Sequence, residues 1–294
     1  MRIGLIGAGA VGQSVGALLV ASGWCRELLV ASGTPASARG LVTDLEDQTQ
    51  VTGAPVRVAV AVPEAMGACD AVVLSPRAQF ANARTTDVRM AGLFANGPLI
   101  VSLARQLTDY AGVAVMVTNP VDVLARVFAE RSGCRRVVGI GAATDTARYR
   151  LTLARHLGVP VDAVQGHVIG EHGDAAVICA STTTVHGRPA TVPLQRVRDE
   201  LAARPRRISQ GIGRTRLGPA GAVMHALTRT LGITSGVTEV SVRQEAGVWL
   251  GMPVRYTGGA ATPCPPPLDD SEAAQLDAAT HKLHHAYTRL NQEI

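Results

Sequence analysis

The chain opens with a strand that runs straight into a glycine turn. Ile3 to Ile6 is apolar, Gly7-Ala8-Gly9-Ala10-Val11-Gly12 follows, and Val11, Val15, Leu18 and Leu19 recur at helical spacing as far as Gly23. Strand, GxGxxG turn and helix in immediate succession point to an open sheet built from βαβ units. In that setting Gly7 permits the tight turn, Gly9 lets the backbone approach a pyrophosphate, and Gly12 lets the helix pack on the strand. Gly7, Gly9, Ala10, Val11 and Gly12 are therefore candidate dinucleotide-binding residues. The competing reading is a turn that is only structural.

Glu27 to Ala31 reads as the second strand, and the residue that ends it faces the adenosine ribose in such a fold. An Asp or Glu there accepts from both ribose hydroxyls and repels a 2′-phosphate. This chain has Ser32, followed by Gly33-Thr34, so the repulsion is missing. The hydroxyls of Ser32, Thr34 and Ser37, with Arg39 close by, suit a 2′-phosphate and favour NADP over NAD. An NAD enzyme that dispenses with one ribose contact is the alternative. Thr34-Pro35 reads as the cap and first residue of a helix to about Asp47. Val56 to Val60, Ala71 to Leu74 and Val113 to Val117 are short apolar runs typical of buried parallel strands. Ser75 to Arg89 is polar and carries Arg77, Arg84 and Arg89. It reads as a loop at the carboxyl end of a strand, where open α/β sheets bind ligands, and a helical segment to about Leu107 follows it.

Length and composition set the remaining bounds. With 294 residues and 47% hydrophobic content, the chain can bury the core of one large or two ordinary domains. The net charge of +5 and pI near 9.3 come from scattered arginines, since Lys282 is the only lysine. Scattered charge with 3% aromatic residues argues against nucleic-acid binding and suits a cleft for small anions. Cys25, Cys69, Cys134, Cys179 and Cys264 are far apart with no C-x-x-C spacing, as for reduced thiols in a cytoplasm. The apolar N-terminus is broken by glycines, Gln13 and Ser14, unlike a signal peptide, and no stretch approaches the ~18 apolar residues of a membrane span. His281, His284 and His285 lack acidic or cysteine companions, so they read as a solvated helix face and no metal site is expected.

Five segments, in this order, resemble those of the lactate and malate dehydrogenase family. They are GAGAVG at Gly7 to Gly12, TNPVD at Thr118 to Asp122, DTARYR at Asp145 to Arg150, IGEHGD at Ile169 to Asp174 and VWLGMPV at Val248 to Val254. The resemblance spans the chain to its C-terminal helix and implies hydride transfer between a nicotinamide and a 2-hydroxy or 2-oxo acid. It makes His172 the acid/base, Asp145 its paired carboxylate and Arg148 the grip on the substrate carboxylate. It also places Asn119 near the nicotinamide and the reacting oxygen, before a proline bond that is cis in many relatives. The residue types suit these roles. Imidazole titrates near the working pH, and a buried carboxylate on its other nitrogen fixes the tautomer and stabilises the imidazolium. A guanidinium makes two parallel hydrogen bonds to a carboxylate.

In the family a mobile loop carries an arginine that polarises the substrate carbonyl, seven residues before an asparagine of the next helix. Arg89 stands seven before Asn96, which selects Arg89. Arg84 competes, because this loop lacks the usual glycines and is longer. Arg77 and Arg84 otherwise read as solvated; if one reaches the cleft, a second substrate carboxylate is implied, as in malate. Pro193 to Gly213 and Leu217 to Leu231 read as arginine-rich helices with Gly218-Pro219-Ala220 at the break, where the family helix lines the substrate pocket. Small residues there leave room for a side chain larger than methyl. Arg214 and Arg216 supply either pocket charge or an ordinary basic helix end. Val237 to Arg255 holds strands, Pro263 to Pro267 a proline-rich loop, and Asp269 to Leu290 the C-terminal helix.

The expected fold is α/β: a Rossmann doubly wound parallel sheet over residues 1–142, then a mixed α/β catalytic domain over 143–294. The expected protein is a cytoplasmic oxidoreductase using NAD or NADP on a small anionic 2-oxo or 2-hydroxy acid, malate-like or less common rather than lactate. No nucleic-acid or membrane partner is expected, and analogy suggests a homodimer or homotetramer. The rival is a turnover-deficient cofactor-binding regulator of the same fold. The altered loop and absent ribose carboxylate favour it, while His172, Asp145, Arg148 and Asn119 together oppose it.

Overall fold

The computed structural model describes residues 1–294 apart from Ala83, Thr85 and Ala246. The first half runs β1 (Arg2–Ile6), α1 (Ala10–Val20), β2 (Glu27–Ala31), α2 (Pro35–Thr52), β3 (Arg57–Val60), β4 (Ala71–Leu74), α3 (Leu93–Gln106), β5 (Val113–Met116), α4 (Val121–Ser132) and β6 (Val137–Gly139). The second runs α5 (Ala142–Leu157), β7 (Val164–Gln165), β8 (Val168–Gly170), β9 (Ala176–Ile178), β10 (Thr184–Val185), β11 (Arg188–Pro189), α6 (Leu194–Ile212), α7 (Leu217–Thr230), β12 (Gly236–Arg243), β13 (Trp249–Thr257), β14 (Ala260–Pro263) and α8 (Asp270–Asn291).

Strands β3-β2-β1-β4-β5-β6 are parallel neighbours, the doubly wound order with its switch between β1 and β4. The sheet does not stop at residue 142. It continues antiparallel through β12, β13, β8 and β9, with β14 beside β13, while β11-β10-β7 form a separate small sheet.

Strand periodicity divides the core between two faces. Ile3 and Leu5 of β1 pack with Val15 and Leu19 of α1, Leu41 and Leu45 of α2, and Val223 and Leu227 of α7. Ile6 points the other way and joins Ile100 of α3, Leu124 and Phe128 of α4, and Leu283 and Leu290 of α8. Each such side chain, fully buried, contributes roughly 1.5–3 kcal/mol. Helices from the second half thus cover both faces of the first, which fixes the two halves around one cleft.

One expected boundary moves. Helix α2 continues past Asp47 to Thr52, where Gly53 at φ 67° provides a left-handed C-cap. The helices expected over Pro193 to Gly213 and Leu217 to Leu231 are α6 and α7, broken at 213–216, so Gly218, Pro219 and Ala220 follow the break rather than form it. Those three residues lie in the first turn of α7, where proline has no hydrogen-bonded N–H to lose. Among the described residues no helix is long and apolar enough to cross a membrane.

Candidate active site

The carboxyl ends of β1, β4, β5 and β6 converge on one cleft. At its floor Gly7 has φ 114°, and a Cβ there would lie 2.7 Å from the carbonyl of Ser75. A Cβ at Gly12 would drive into the carbonyl oxygen of Gly7. Gly9 is different: a Cβ there would meet nothing within 4 Å. It sits at the N-terminus of α1, whose first turn, Ala10 and Val11 included, has no side-chain cap. An open approach over uncapped N–H groups fits a pyrophosphate.

At the end of β2, the Ala8 N–H donates to Ser32 Oγ at 3.3 Å, and Ser37 Oγ donates to Ser32 Oγ at 2.8 Å. Thr34 caps α2, its Oγ1 accepting from the Ser37 N–H at 3.1 Å. The hydroxyls expected to receive a 2′-phosphate therefore satisfy one another, and Arg39 is exposed. Asn119 follows β5, joined to Pro120 by a cis peptide; its Oδ1 is buried and unpartnered among the described residues. Its carbonyl accepts from Asn96 Nδ2 at 2.8 Å, and Asn96 Oδ1 accepts from the Ala78 N–H at 2.9 Å, tying the start of the loop to this corner.

His172 stands at the centre. Its Nδ1 lies 2.6 Å from Asp145 Oδ2 on α5, and its Nε2 lies 3.0 Å from Arg89 Nε. Arginine can only donate, so Nε2 is the acceptor and Nδ1 carries the proton given to Asp145. Burial and the nearby Arg89 charge hold the imidazole below its ordinary pKa, against the pull of Asp145. Burial pushes the Asp145 carboxyl up, but His172, Arg89 and Arg148 outweigh it and keep it below the carboxylate range.

Arg148 is 7% exposed and among the described residues makes one long contact, NH1 to Asp145 Oδ1 at 3.5 Å. Its guanidinium has donors to spare for an arriving carboxylate. Of the loop arginines, Arg89 reaches His172 and comes within 3.9 Å of Asp145. Arg84 is 52% exposed and lies 3.6 Å from Asp87. Arg77 stacks 4.3 Å over the Phe80 ring, and burial together with the nearby Arg214 lowers its pKa. Arg216 bonds to the carbonyl of Ile212, as an ordinary helix end would.

Several residues here were not singled out from sequence. Asp122 accepts the His172 backbone N–H at 2.8 Å; burial pushes its carboxyl up to about 7, against that hydrogen bond. A Cβ at Gly141 would collide with the His172 ring, so this glycine makes the imidazole's seat. Glu171, Asp87, Asp174 and Lys282 form a charged cluster behind the loop. Asp122, Glu171 and Asp174 lay inside motifs already noted, whereas Lys282 was marked only as the sole lysine.

Residues 1–141 match the lactate/malate dehydrogenase NAD binding domain, and residues 143–293 match the lactate/malate dehydrogenase alpha/beta C-terminal domain. L-lactate dehydrogenase of Staphylococcus saprophyticus is 30% identical over 291 residues, covering 92% of this chain and 91% of the relative. Malate dehydrogenase of Sulfolobus acidocaldarius is 28% identical over 314 residues, covering 100% and 98%. Malate dehydrogenase of Cryptosporidium parvum superposes with a TM-score of 0.89 at 22% identity, covering 99% of this chain and 100% of that one. The lactate dehydrogenase of the same organism, solved with lactic acid and NAD, gives 0.88 at 20%, covering 99% and 98%. The structural likeness speaks to the fold, and it embraces lactate and malate enzymes alike. With both halves matched in order, the chain belongs to the lactate/malate dehydrogenase family of oxidoreductases.

Proposed function

We propose that the chain interconverts a 2-hydroxy acid and its 2-oxo acid, with a malate-like or less common acid favoured over lactate. The observation that carries this reading is the His172 imidazole held between Asp145 on Nδ1 and Arg89 on Nε2, with Arg148 three residues along α5. Residues 1–142 would hold the cofactor and residues 143–294 most of the substrate site. When bound, the nicotinamide supplies or accepts the hydride.

The chain's own residues do the rest. Arg148 holds the substrate carboxylate through its free donors. The reacting oxygen belongs between Arg89 and His172, which separate to admit it within hydrogen-bond distance of both. In reduction Arg89 draws electron density toward that oxygen while His172 delivers its Nε2 proton to it. In oxidation neutral His172 takes the hydroxyl proton at Nε2, and Asp145 stabilises the imidazolium that results. An arriving carboxylate offsets the arginine charges that depress His172, so substrate binding itself favours the protonated form needed for reduction. Asn119 Oδ1, buried and without a partner among the described residues, has acceptor capacity for a carboxamide at this corner.

What supports a larger substrate is Gly218, which offers no side chain near Thr144, the residue before Asp145. The cofactor of the family is NAD. The preference for NADP expected from Ser32 gains nothing from the mutually satisfied hydroxyls around it.

The test is a panel of 2-oxo acids, lactate and malate precursors included, assayed for loss of reduced-nicotinamide absorbance with NADH and with NADPH. Turnover is expected, strongest with an acid bearing a second anionic group. In His172→Asn it is expected to fall by about 10²–10⁴-fold while cofactor affinity stays unchanged. Cofactor binding without oxidation by any acid would overturn the enzyme reading in favour of a regulator.

A further inference from the structure

The chain's one lysine sits against the loop that carries Arg89. Lys282 lies on α8, and its Nζ donates to Asp87 Oδ1 at 2.6 Å and to Glu171 Oε2 at 2.8 Å. Asp87 precedes Arg89 by two residues, and Glu171 immediately precedes His172. One ammonium therefore joins the C-terminal helix, the loop and the strand end that presents the imidazole.

The two carboxylates have different reasons to be there. Glu171 is buried, accepts the Ala175 N–H at 2.8 Å, and leaves Oε1 without a partner among the described residues. A carboxylate so placed needs a cation whether or not the loop is closed. Asp87 belongs to an irregular segment and adopts φ 52°, a conformation that a non-glycine residue keeps only when its surroundings hold it. From across the fold it is held by Lys282 on its side chain and by Asp174 Oδ2, which accepts its N–H at 2.7 Å; within the loop, Arg84 lies 3.6 Å from its carboxylate and the Met90 N–H donates to its carbonyl.

The loop tip is thus pinned from opposite sides. Arg89 reaches inward to His172 and Asp145, and Asp87 reaches outward to Lys282. One contact would leave the tip free to pivot; two contacts with a single residue between them fix where the Arg89 Nε points. The ion pair is also not a solvated surface pair of little worth, since the side chains of Lys282, Asp87 and Glu171 are 29%, 26% and 2% exposed.

We propose that Lys282 is the latch of the Arg89 loop: anchored on Glu171, it captures Asp87 on closure and so positions Arg89 against the reacting oxygen. This rests on the role of Arg89 proposed above. Lys282 is a positioning residue, acting through Asp87 and Arg89.

Asp87→Asn weakens the capture and leaves the Lys282 to Glu171 pair intact, so folding is spared; Lys282→Met removes both. For 2-oxo acid reduction, kcat is expected to fall about tenfold to a hundredfold in Asp87→Asn with cofactor affinity unchanged. The double variant should be no slower than Lys282→Met alone, because both substitutions break one contact. A second measurement needs no turnover. Lys282 is the only side-chain amine that an N-hydroxysuccinimide acetate ester can acylate, and peptide mapping separates it from the N-terminal amine. In the free protein Lys282 should be acylated several-fold faster in Asp87→Asn than in the wild type, because the lost partner exposes the amine and releases its proton more readily. Equal acylation rates, or kinetic effects that simply add, would overturn the latch. Faster acylation in a protein that reduces no 2-oxo acid would instead overturn the functional reading and leave the Asp87 contact standing.

Discussion

The glycine turn at Gly7 to Gly12 and the loop from Ser75 to Arg89 border the same cleft and hold their shapes by opposite means. The turn is set by what it lacks: without Cβ atoms at positions 7 and 12, the chain can fold its own carbonyl beneath the start of α1. The loop is set by what it reaches, namely His172, Asp145, Asp174 and Lys282, all far along the chain. Local sterics make a rigid cradle suited to an invariant group such as a pyrophosphate. Long-range charge pairs can part and re-form, as the proposed closure over an arriving substrate requires.

If that contrast holds, the turn should fail by unfolding and the loop by slowing. Gly12→Ala forces a methyl group into the Gly7 carbonyl and is expected to cost on the order of 4 kcal/mol, read as a lowered Tm with loss of cofactor binding. Arg89→Gln should leave Tm and cofactor affinity alone and lower kcat by about 10²–10³-fold, the usual effect of deleting a polarising donor. Arg84→Gln, on an exposed side chain, should change kcat by less than about twofold. The pH profile sharpens the test. With His172 as the proposed proton donor, reduction needs it protonated, so kcat/KM should fall as pH rises through a pKa that burial and Arg89 hold low. Removing the Arg89 charge raises that pKa, and the fall should move to higher pH; a fall that stays in place would separate Arg89 from His172.

The same contrast decides what the sequence alone makes legible. The turn, the parallel strands and the cap at Thr34 were legible because each depends on neighbours in sequence. Gly53, a left-handed cap, is a stop for α2 legible in the sequence beyond Asp47, while Pro219 sits in the first turn of the helix expected from Leu217 and breaks nothing. His172, Asp145 and Arg148 were legible through family resemblance alone, since nothing local brings residue 145 beside residue 172. Neither route reached Lys282, whose partner Asp87 lies 195 positions away, or Asp122, which meets His172 across 50. Gly141 was missed for another reason: its absent Cβ makes room for the His172 side chain, which comes from beyond the end of β8, and no turn marks it.

Within the turn, Gly9 offers a finer test than Gly12. Its backbone at φ −77° suits any residue, and a methyl group there would touch no protein atom. Gly9→Ala should therefore shift stability by less than about 0.5 kcal/mol. If the open space belongs to a pyrophosphate, the methyl group takes the ligand's place, and cofactor affinity measured by fluorescence titration should drop on the order of tenfold. Unchanged affinity would mean that the cradle does not face the cofactor.

The narrowest effect, on cofactor choice alone, lies at the corner where the two regions' partners part company, at Ser32. Neither sterics nor charge pairing defines this corner; it is a ring of hydroxyls at the end of β2 with no carboxylate among them. Ser32→Asp adds an acceptor for the ribose hydroxyls and a charge that repels a 2′-phosphate. One charge-assisted hydrogen bond at a partly solvated site is worth about 1.5 kcal/mol, so the kcat/KM ratio of NADH over NADPH should rise roughly tenfold with kcat barely altered. Because Ser32 Oγ also accepts from the Ala8 N–H, the substitution keeps an acceptor for the turn, and Tm should hold. A ratio that does not move would place the adenosine ribose away from β2 and detach cofactor choice from the position where Rossmann folds make it.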